Sequence, residues 1–205
     1  ILIQEIPHLK PGDALKSKGE LVAAVLKEPA KLNFSGLNFY DSQSENITIL
    51  SQLSDLFTFN DKELRKDFAM LTKGRTSAPL PENNILIGDA SQLFIEPGAQ
   101  VLASSINTTT GPVYIGHHAE VMEGCSIRGP FAMNIHSTLK MGAKIYGATT
   151  LGPECKVGGE VNNSILFGYS SKAHDGFLGN SVLGEWCNIG ADSNNSNLKN
   201  NYAEV

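Results

Sequence analysis

Residues 115–157 read IGHHAEVMEGCSIRGPFAMNIHSTLKMGAKIYGATTLGPECKV, and a large apolar residue occupies every sixth position. These positions are Ile115, Val121, Ile127, Met133, Leu139, Ile145, Leu151 and Val157. A second, mostly small series lies four residues after each of them: Ala119, Cys125, Phe131, Ser137, Ala143, Thr149, Cys155 and Val161. A fixed period of six fits neither an α-helix nor a long alternating strand. It predicts a solenoid of short strands whose apolar residues point into one narrow, continuous core.

The same register continues on both sides of this stretch, but out of phase. The flanking apolar positions are Ile95 and Val101 upstream and Phe177, Leu183 and Ile189 downstream. The intervals from Val101 to Ile115 and from Val157 to Phe177 are both multiples of six plus two. We therefore predict two excursions from the solenoid, around residues 105–112 and 162–176. Loops on such scaffolds often carry function, and the second excursion is the stronger candidate.

Residues 1–46 lack the period. Residues 1–6 predict a strand, and residues 14–16 and 20–26 predict a hairpin across Lys18 and Gly19, while residues 29–45 read as irregular. This is too little for an independent core, so we expect the end of an upstream domain.

Residues 47–84 predict a helical linker. Ile47, Leu50 and Leu53 suggest one helix; a second is expected to begin at Asn60, which pairs with Glu63 in a capping-box pattern, and to end at Gly74. Residues 75–84 read as an extended connection. The solenoid domain is then expected over residues 85–205.

Composition narrows the function classes. The net charge is -5 without a marked Lys/Arg run, which argues against nucleic acid or an anionic membrane as a partner. No apolar stretch approaches the ~18 residues of a membrane span. The three cysteines fall in the small-residue register, which predicts buried free thiols and a cytoplasmic location. The chain starts at Ile1 and ends without an evident polar cap, so we expect a piece of a longer protein with an incomplete C-terminal solenoid.

His174 is the leading candidate for chemistry. It lies in FGYSSKAHDGFLGN, residues 167–180, between Lys172 and Asp175, where a loop pinned between rigid rungs could hold a general base. The alternative is a loop histidine that caps a carbonyl. His117 and His118 are expected at water-facing corners, and His136 on a flat wall.

Residues 186–202, WCNIGADSNNSNLKNNY, are rich in asparagine, which suits sugar hydroxyls and amides. The alternative is a turn-rich polar loop. The sequence contains neither a GxxxxGK[ST] phosphate loop nor a GxSxG nucleophile elbow.

These motifs resemble a known family. The repeats resemble the left-handed parallel β-helix of hexapeptide-repeat acyltransferases. Residues 171–174 (SKAH), 177–180 (FLGN), 183–191 (LGEWCNIGA) and 201–202 (NY) resemble the acetyltransferase half of the bifunctional N-acetylglucosamine-1-phosphate uridyltransferase/glucosamine-1-phosphate acetyltransferase family, in the variant form of Bacteroidetes. The fold implied is mainly β: a β-helix over residues 85–205, preceded by a short α/β remnant of a sugar-nucleotidyltransferase domain and by linking helices.

The resemblance implies transfer of an acetyl group from acetyl-CoA to the amine of glucosamine 1-phosphate, within a homotrimer whose sites lie between subunits. His174 matches the catalytic base and Asn188 a sugar contact. Ala191 matches the point where backbone meets acetyl-CoA, and Asn201 and Tyr202 match the pair at the sugar site. No metal is implied for this step; Mg²⁺ is implied only for the upstream nucleotidyltransferase domain.

Three positions depart from the family pattern. The arginine that holds the sugar phosphate aligns with Lys140, which cannot bind it through a bidentate fork. A family lysine at the phosphate falls at Ser164, and a family tyrosine at Phe177. Lys172 is a candidate to supply the missing charge.

Two alternatives to the acetyltransferase remain open. In one, the protein is chiefly a sugar-1-phosphate nucleotidyltransferase, uridylyl or thymidylyl, and the solenoid is a trimerising or regulatory arm. In the other, the solenoid is a binding module without catalysis.

Overall fold

The structure is a computed structural model that describes residues 5–27, 35–43 and 47–195. The chain divides into two compact units, Ile1–Leu50 and Ser51–Val205.

The first unit contains a three-stranded sheet. Strands β1 (Asp13–Ser17) and β2 (Glu20–Ala24) form an antiparallel hairpin, and β3 (Asn38–Asp41) pairs with β1 in parallel. The predicted hairpin is confirmed: Lys18 and Gly19 both have positive φ, 51° and 86°, as a tight two-residue turn requires.

Two predictions for the first unit are wrong. Strand β3 lies within residues 29–45, which the sequence suggested were irregular, because pairing with β1 gives this polar segment its hydrogen bonds. Ile6–His8 forms a 3-10 turn instead of continuing a strand; Pro7 lies within it and has no N–H for a strand ladder. Residues 1–4 of that predicted strand lie outside the described residues.

The second unit begins with one long helix, α1 (Asp55–Thr72), where the sequence predicted two. The Asp55 carboxylate accepts hydrogen bonds from the N–H groups of Ser51 and Gln52, and these bonds lower its pKa. The helix starts five residues before the predicted N-cap, Asn60, which is buried within it. Gly74 follows the helix with φ +71°, in the conformation expected of a C′ glycine.

The rest of the unit is a parallel β-solenoid of about six turns with three walls. Wall 1 consists of β4 (Ile85–Ile87), β7 (Ser105–Asn107), β10 (Ser126–Arg128), β13 (Lys144–Tyr146), β16 (Glu160–Asn162) and β19 (Phe177–Gly179). Wall 2 consists of β5 (Leu93–Ile95), β8 (Val113–Ile115), β11 (Phe131–Met133), β14 (Thr149–Leu151), β17 (Ile165–Leu166) and β20 (Val182–Leu183). Wall 3 consists of β6 (Gln100–Val101), β9 (Glu120–Val121), β12 (Thr138–Leu139), β15 (Lys156–Val157) and β18 (Ser171–Lys172). A β-helix is therefore confirmed.

The core of the solenoid follows the predicted register. The apolar series from Ile115 to Val157 is buried in all eight positions, and so is the second series from Ala119 to Val161. Each side chain stacks on its equivalent one coil away, so the rungs share one continuous interior.

The second predicted excursion is wrong. Residues 162–176 contain β17 and β18 and form an ordinary part of a coil. The register changes because some corners in this region are shorter than those of an 18-residue coil. Paired positions are 18 residues apart between β10 and β13 (Ser126 with Lys144), but 16 between β13 and β16 (Lys144 with Glu160) and 17 between β16 and β19 (Glu160 with Phe177). As a result Leu178, and not the predicted Phe177, is the buried apolar side chain of β19.

The first excursion is confirmed in a shorter form. Residues 105–107 belong to wall 1 as β7, and the extra chain is the corner at residues 108–112. Thr108 is buried in this corner and its hydroxyl donates to the carbonyl of Asp89 at 3.0 Å.

Helix α1 packs on wall 2 through one face, formed by Asn60, Leu64 and Phe68 at four-residue spacing. Asn60 Nδ2 donates to the carbonyl of Ala148 at 2.6 Å, and Thr150 Oγ1 donates to Asn60 Oδ1 at 2.9 Å. A polar residue is therefore buried on the helix because the solenoid supplies both of its partners.

Candidate functional site

An open groove of about 640 Å³ runs along the corner where wall 3 turns into wall 1. We call this corner the site corner. Successive coils contribute to it the residues that directly follow their wall 3 strands, together with Glu120 of β9. Its lining is Leu102, Glu120, Met122, Glu123, Lys140, Met141, Gly158, Gly159, Ala173, His174 and Asp175.

His174 lies in this groove. It belongs to residues 173–176, which connect β18 to β19, and both His174 and Asp175 are exposed. Gly176 ends the connection with φ +125°, a conformation that a residue with a Cβ rarely adopts. The corner therefore presents an imidazole and a carboxylate to the groove.

Lys140 lines the same groove one coil below the glycine pair Gly158 and Gly159. A Cβ built on Gly158 would lie 3.2 Å from the Cβ of Lys140, so the two residues are directly stacked. The structure thus brings together His174 and Lys140, for which separate roles were predicted.

Lys172 is not where the phosphate-binding role would need it. Its side chain is 2% exposed and points into the solenoid, where Nζ donates to the carbonyls of His174 at 2.6 Å and Gly158 at 3.0 Å. Burial lowers the pKa of Lys172, and the charge of Asp175 opposes this shift. The ammonium therefore forms its hydrogen bonds inside the corner and does not face a ligand in the groove.

The next coil places two further predicted residues near the site corner. Asn188 is exposed and bridges Ser171 of β18. Ala191 is exposed too, and the N–H of its neighbour Asp192 donates to the carbonyl of Asp175 at 3.0 Å. Asn201 and Tyr202 lie outside the described residues.

The groove has an acidic lining, formed by Glu120, Glu123 and Asp175, that was not predicted from the sequence. The repeat could have predicted these carboxylates. In every coil, the residues that flank the inward-facing residue of wall 3 lie at or near this corner. The groove carries more carboxylates than cationic side chains, so its field favours a cationic group.

A second polar cluster lies around Glu96, at the corner between wall 2 and wall 3. Glu96 is 1% exposed and its carboxylate contacts Arg75 at 2.7 Å, the Tyr114 hydroxyl at 2.6 Å and Nε2 of His117 at 3.2 Å. Burial opposes the charge of Glu96, but the hydrogen bonds from Arg75 and Tyr114 outweigh it and lower the pKa. Burial and the bond to Glu96 raise the pKa of Tyr114 to about 12. Every group of this cluster is engaged with another, which marks it as structural.

The remaining histidines and cysteines follow their predictions in part. His117 and His118 are exposed at corners, as expected. His136 was expected on a flat wall, but it lies exposed in the corner between β11 and β12, where it stacks on His118 with ring centroids 5.3 Å apart. Cys125 and Cys155 are buried, and burial raises the pKa of both thiols. Cys187 is exposed, so its predicted burial is wrong. Gly184, which precedes it on the same coil, and Trp186 are exposed as well, so this part of the coil lies at the surface.

Within residues 5–27, 35–43 and 47–195, no three His, Cys, Asp or Glu side chains are grouped in a way that could hold a metal ion. Over the same residues, no helix combines the length and the apolar character needed to cross a lipid bilayer.

Comparison with known proteins gives one family. Residues 1–76 match the model of the family described as sugar nucleotidyl transferase. No curated protein matches the chain at a significant level. The match and the β-solenoid together fit a hexapeptide-repeat enzyme of sugar-nucleotide chemistry, and they indicate a transferase that includes a domain related to sugar nucleotidyl transferases.

Proposed function

We propose that the solenoid transfers an acetyl group from acetyl-CoA to the amine of an amino-sugar 1-phosphate, within an enzyme that also carries sugar nucleotidyl transfer. The observation that carries the proposal is that His174 and Lys140 line one groove at one corner of a β-helix. The resemblance of residues 171–202 to sugar acetyltransferases supplies the reaction, and glucosamine 1-phosphate is the acceptor that it suggests.

The reaction needs a base and an anion-stabilising group. His174 accepts a proton from the acceptor amine as the nitrogen attacks the thioester carbonyl. The new N–C bond forms, the C–S bond breaks, and the imidazolium returns its proton to the departing thiolate, which leaves as free CoA. Backbone N–H groups at the corners of the coils are suited to the oxyanion that develops on the carbonyl.

The charges of the groove agree with an acceptor that has two charged ends. Glu120, Glu123 and Asp175 favour the ammonium form of the sugar amine on approach, and Lys140 is the cation available to its phosphate. Because an ammonium cannot attack, the acceptor must first release one proton to solvent, and His174 then takes the second proton as the neutral amine attacks.

The rest of the site is part of the proposal. Asn188, Asn201 and Tyr202 contact the sugar, and Ala191 meets acetyl-CoA through its backbone. The coil is left-handed and three copies assemble around a threefold axis, so that a neighbouring subunit closes each groove.

The test is amine-dependent thiol release by the intact protein. Acetyl-CoA and glucosamine 1-phosphate are mixed with enzyme, and free thiol is followed with and without the sugar. We expect His174→Ala to lower the rate by ~10²–10⁴-fold. His136→Ala is the matched control, because His136 is also an exposed corner histidine but lies outside the groove lining.

Both variants should retain the thermal unfolding midpoint of the wild type, since both side chains are exposed. Thiol release that does not need the sugar, or full activity of His174→Ala, would contradict the proposal that His174 catalyses acetyl transfer.

A second candidate function rests on the family match over residues 1–76. Here the protein is chiefly a sugar nucleotidyltransferase and the solenoid is its trimerising or regulatory arm. Pyrophosphate release from UTP or dTTP with a sugar 1-phosphate and Mg²⁺, without any thiol release, would favour it. The absence of both products would favour a solenoid that only binds.

A further inference from the structure

One core position of the solenoid holds an amine. Wall 3 contributes one inward-facing residue per coil, and strand pairing aligns these residues as Val101, Val121, Leu139, Val157 and Lys172. All five are at most 2% exposed. Four coils therefore use an aliphatic side chain where the fifth uses lysine. Burying an amine is unfavourable unless its N–H groups are hydrogen-bonded, so its partners should explain its presence.

The partners of Lys172 belong to two consecutive coils of the site corner. Nζ donates to the carbonyl of His174 at 2.6 Å and to the carbonyl of Gly158 at 3.0 Å. The first carbonyl is on the residue whose imidazole faces the groove, and the second is on the coil directly beneath. A single side chain thus ties the main chain of His174 to the coil below from inside the solenoid.

The coil beneath is built to receive this ammonium. Its site corner has two residues, Gly158 and Gly159, between β15 and β16, whereas the corner that follows β12 has four. A Cβ on Gly159 would lie 2.9 Å from Lys172 Nζ and 2.7 Å from the carbonyl oxygen of Gly176. A Cβ on Gly158 would overlap the carbonyl of Ala173. The glycine pair therefore lets the amine and the His174 corner close down on the shortened coil.

We propose that Lys172 is a positioning residue, whose buried ammonium fixes the main chain of His174 and so sets where the imidazole enters the groove. The catalytic consequence rests on the proposed function, whereas the positioning itself does not. Misplacing a reacting group by about 1 Å can cost on the order of 10²-fold in rate. This role replaces the contact with the sugar phosphate that the sequence suggested for Lys172.

The test compares two methionine variants of the same core column. Lys172→Met removes the donors but keeps an unbranched side chain in a column that is aliphatic in four other coils. Leu139→Met, two coils below, is the matched control: it changes the same column without touching the carbonyl of His174. We expect kcat for acetyl transfer to fall roughly 10- to 100-fold in Lys172→Met, with KM for acetyl-CoA within about twofold, and to be unchanged in Leu139→Met.

A spectroscopic readout separates positioning from activity. In protein labelled with ¹³C-histidine, the imidazole cross peak of His174 is the one lost in His174→Ala. We expect this peak to move towards its random-coil position in Lys172→Met while the His136 peak stays, and neither peak to move in Leu139→Met.

An unmoved His174 peak in folded Lys172→Met overturns the proposal. If activity is lost at the same time, Lys172 contacts substrate directly. Should His174→Ala remain fully active, the proposed function fails, yet the peak positions still decide whether Lys172 places His174. If circular dichroism finds Lys172→Met unfolded, Lys172→Gln takes its place, since its amide can still donate to one carbonyl. A partly displaced His174 peak is then expected, and an unmoved one is the contrary result.

Discussion

Asn60 contributes to the attachment of helix α1 to the solenoid, and Asn60→Ala should weaken this attachment. The side chain is 8% exposed and connects two partners on the solenoid. Its amide nitrogen donates to the carbonyl of Ala148 at 2.6 Å, and its oxygen accepts from the Thr150 hydroxyl at 2.9 Å. The substitution removes both bonds and leaves the carbonyl of Ala148, a residue 4% exposed, without this donor.

The expected magnitude follows from those contacts. Each lost hydrogen bond is worth about 0.5–1.5 kcal/mol net, and a buried acceptor left unpaired costs about 1–3 kcal/mol. We therefore expect the docking of α1 to weaken by about 2–4 kcal/mol. Because about 1.4 kcal/mol corresponds to a factor of ten, amides of Asp55–Thr72 should exchange roughly 30- to 700-fold faster if they open with the helix.

Hydrogen exchange resolved by mass spectrometry measures this locally. Peptides from α1 should accelerate, while peptides from wall 3, which α1 does not cover, should not. Thr150→Ala removes one of the two bonds and should accelerate the helix about 3- to 10-fold, in line with about 1 kcal/mol. If the amide exchange rates of α1 in Asn60→Ala stay within about twofold of wild type, the two hydrogen bonds do not contribute the expected free energy. An equal acceleration of all walls would refute the assumption that the helix opens by itself.

Two further predictions concern the coil stack and the acid stability. A Cβ at Gly116 would lie 2.7–2.9 Å from the backbone of residues 133–135 in the next coil, so Gly116→Ala should destabilise by about 1–3 kcal/mol in thermal unfolding. Gly190→Ala, where a Cβ meets no atom of the described residues within 4 Å, should change stability by less than about 0.5 kcal/mol. The pKa of Glu96 is lowered from its ordinary value of 4.5, so the stability it contributes is present above that value and is lost as the pH falls through the lower folded pKa. Unfolding midpoints of wild type should drop more steeply in this acid range than those of Glu96→Gln; parallel curves would show that Glu96 does not drive the loss.

The walls of the solenoid could be predicted from sequence because each apolar position depends on a local repeat. The series from Ile115 to Val157 needs only the six-residue period, and every member is buried. Corner lengths could not be derived in the same way. The interval between Val157 and Phe177 gives a total number of residues, and it does not distinguish an inserted loop from a coil that has lost residues at Gly158 and Gly159.

The candidate site was predictable in part. His174 was predicted from its local sequence and from motif resemblance, and Lys140 from motif resemblance alone; the structure places both in one groove. Lys172 was misjudged because a lysine suggests a surface or ligand-binding position by its residue type alone. Its register carried the contrary signal: Leu166, Lys172 and Leu178 are spaced by six, which puts the amine in a core column. Asn60 was misjudged similarly, since an amide before a helical pattern suggests a cap, and its buried partners on wall 2 cannot be read from neighbours in sequence.

The family match extends past the start of the second structural unit, and helix α1 lies in the overlap. The sugar nucleotidyl transferase match ends at residue 76 and includes the helix, whereas the compact unit that contains the helix starts at Ser51. Leu64 and Phe68 are buried on wall 2, and Arg75 binds the buried carboxylate of Glu96 at 2.7 Å. A β-solenoid cut at residue 76 would expose that apolar wall and leave Glu96 without its guanidinium. The helix therefore belongs physically to the solenoid, although its sequence falls within the transferase match.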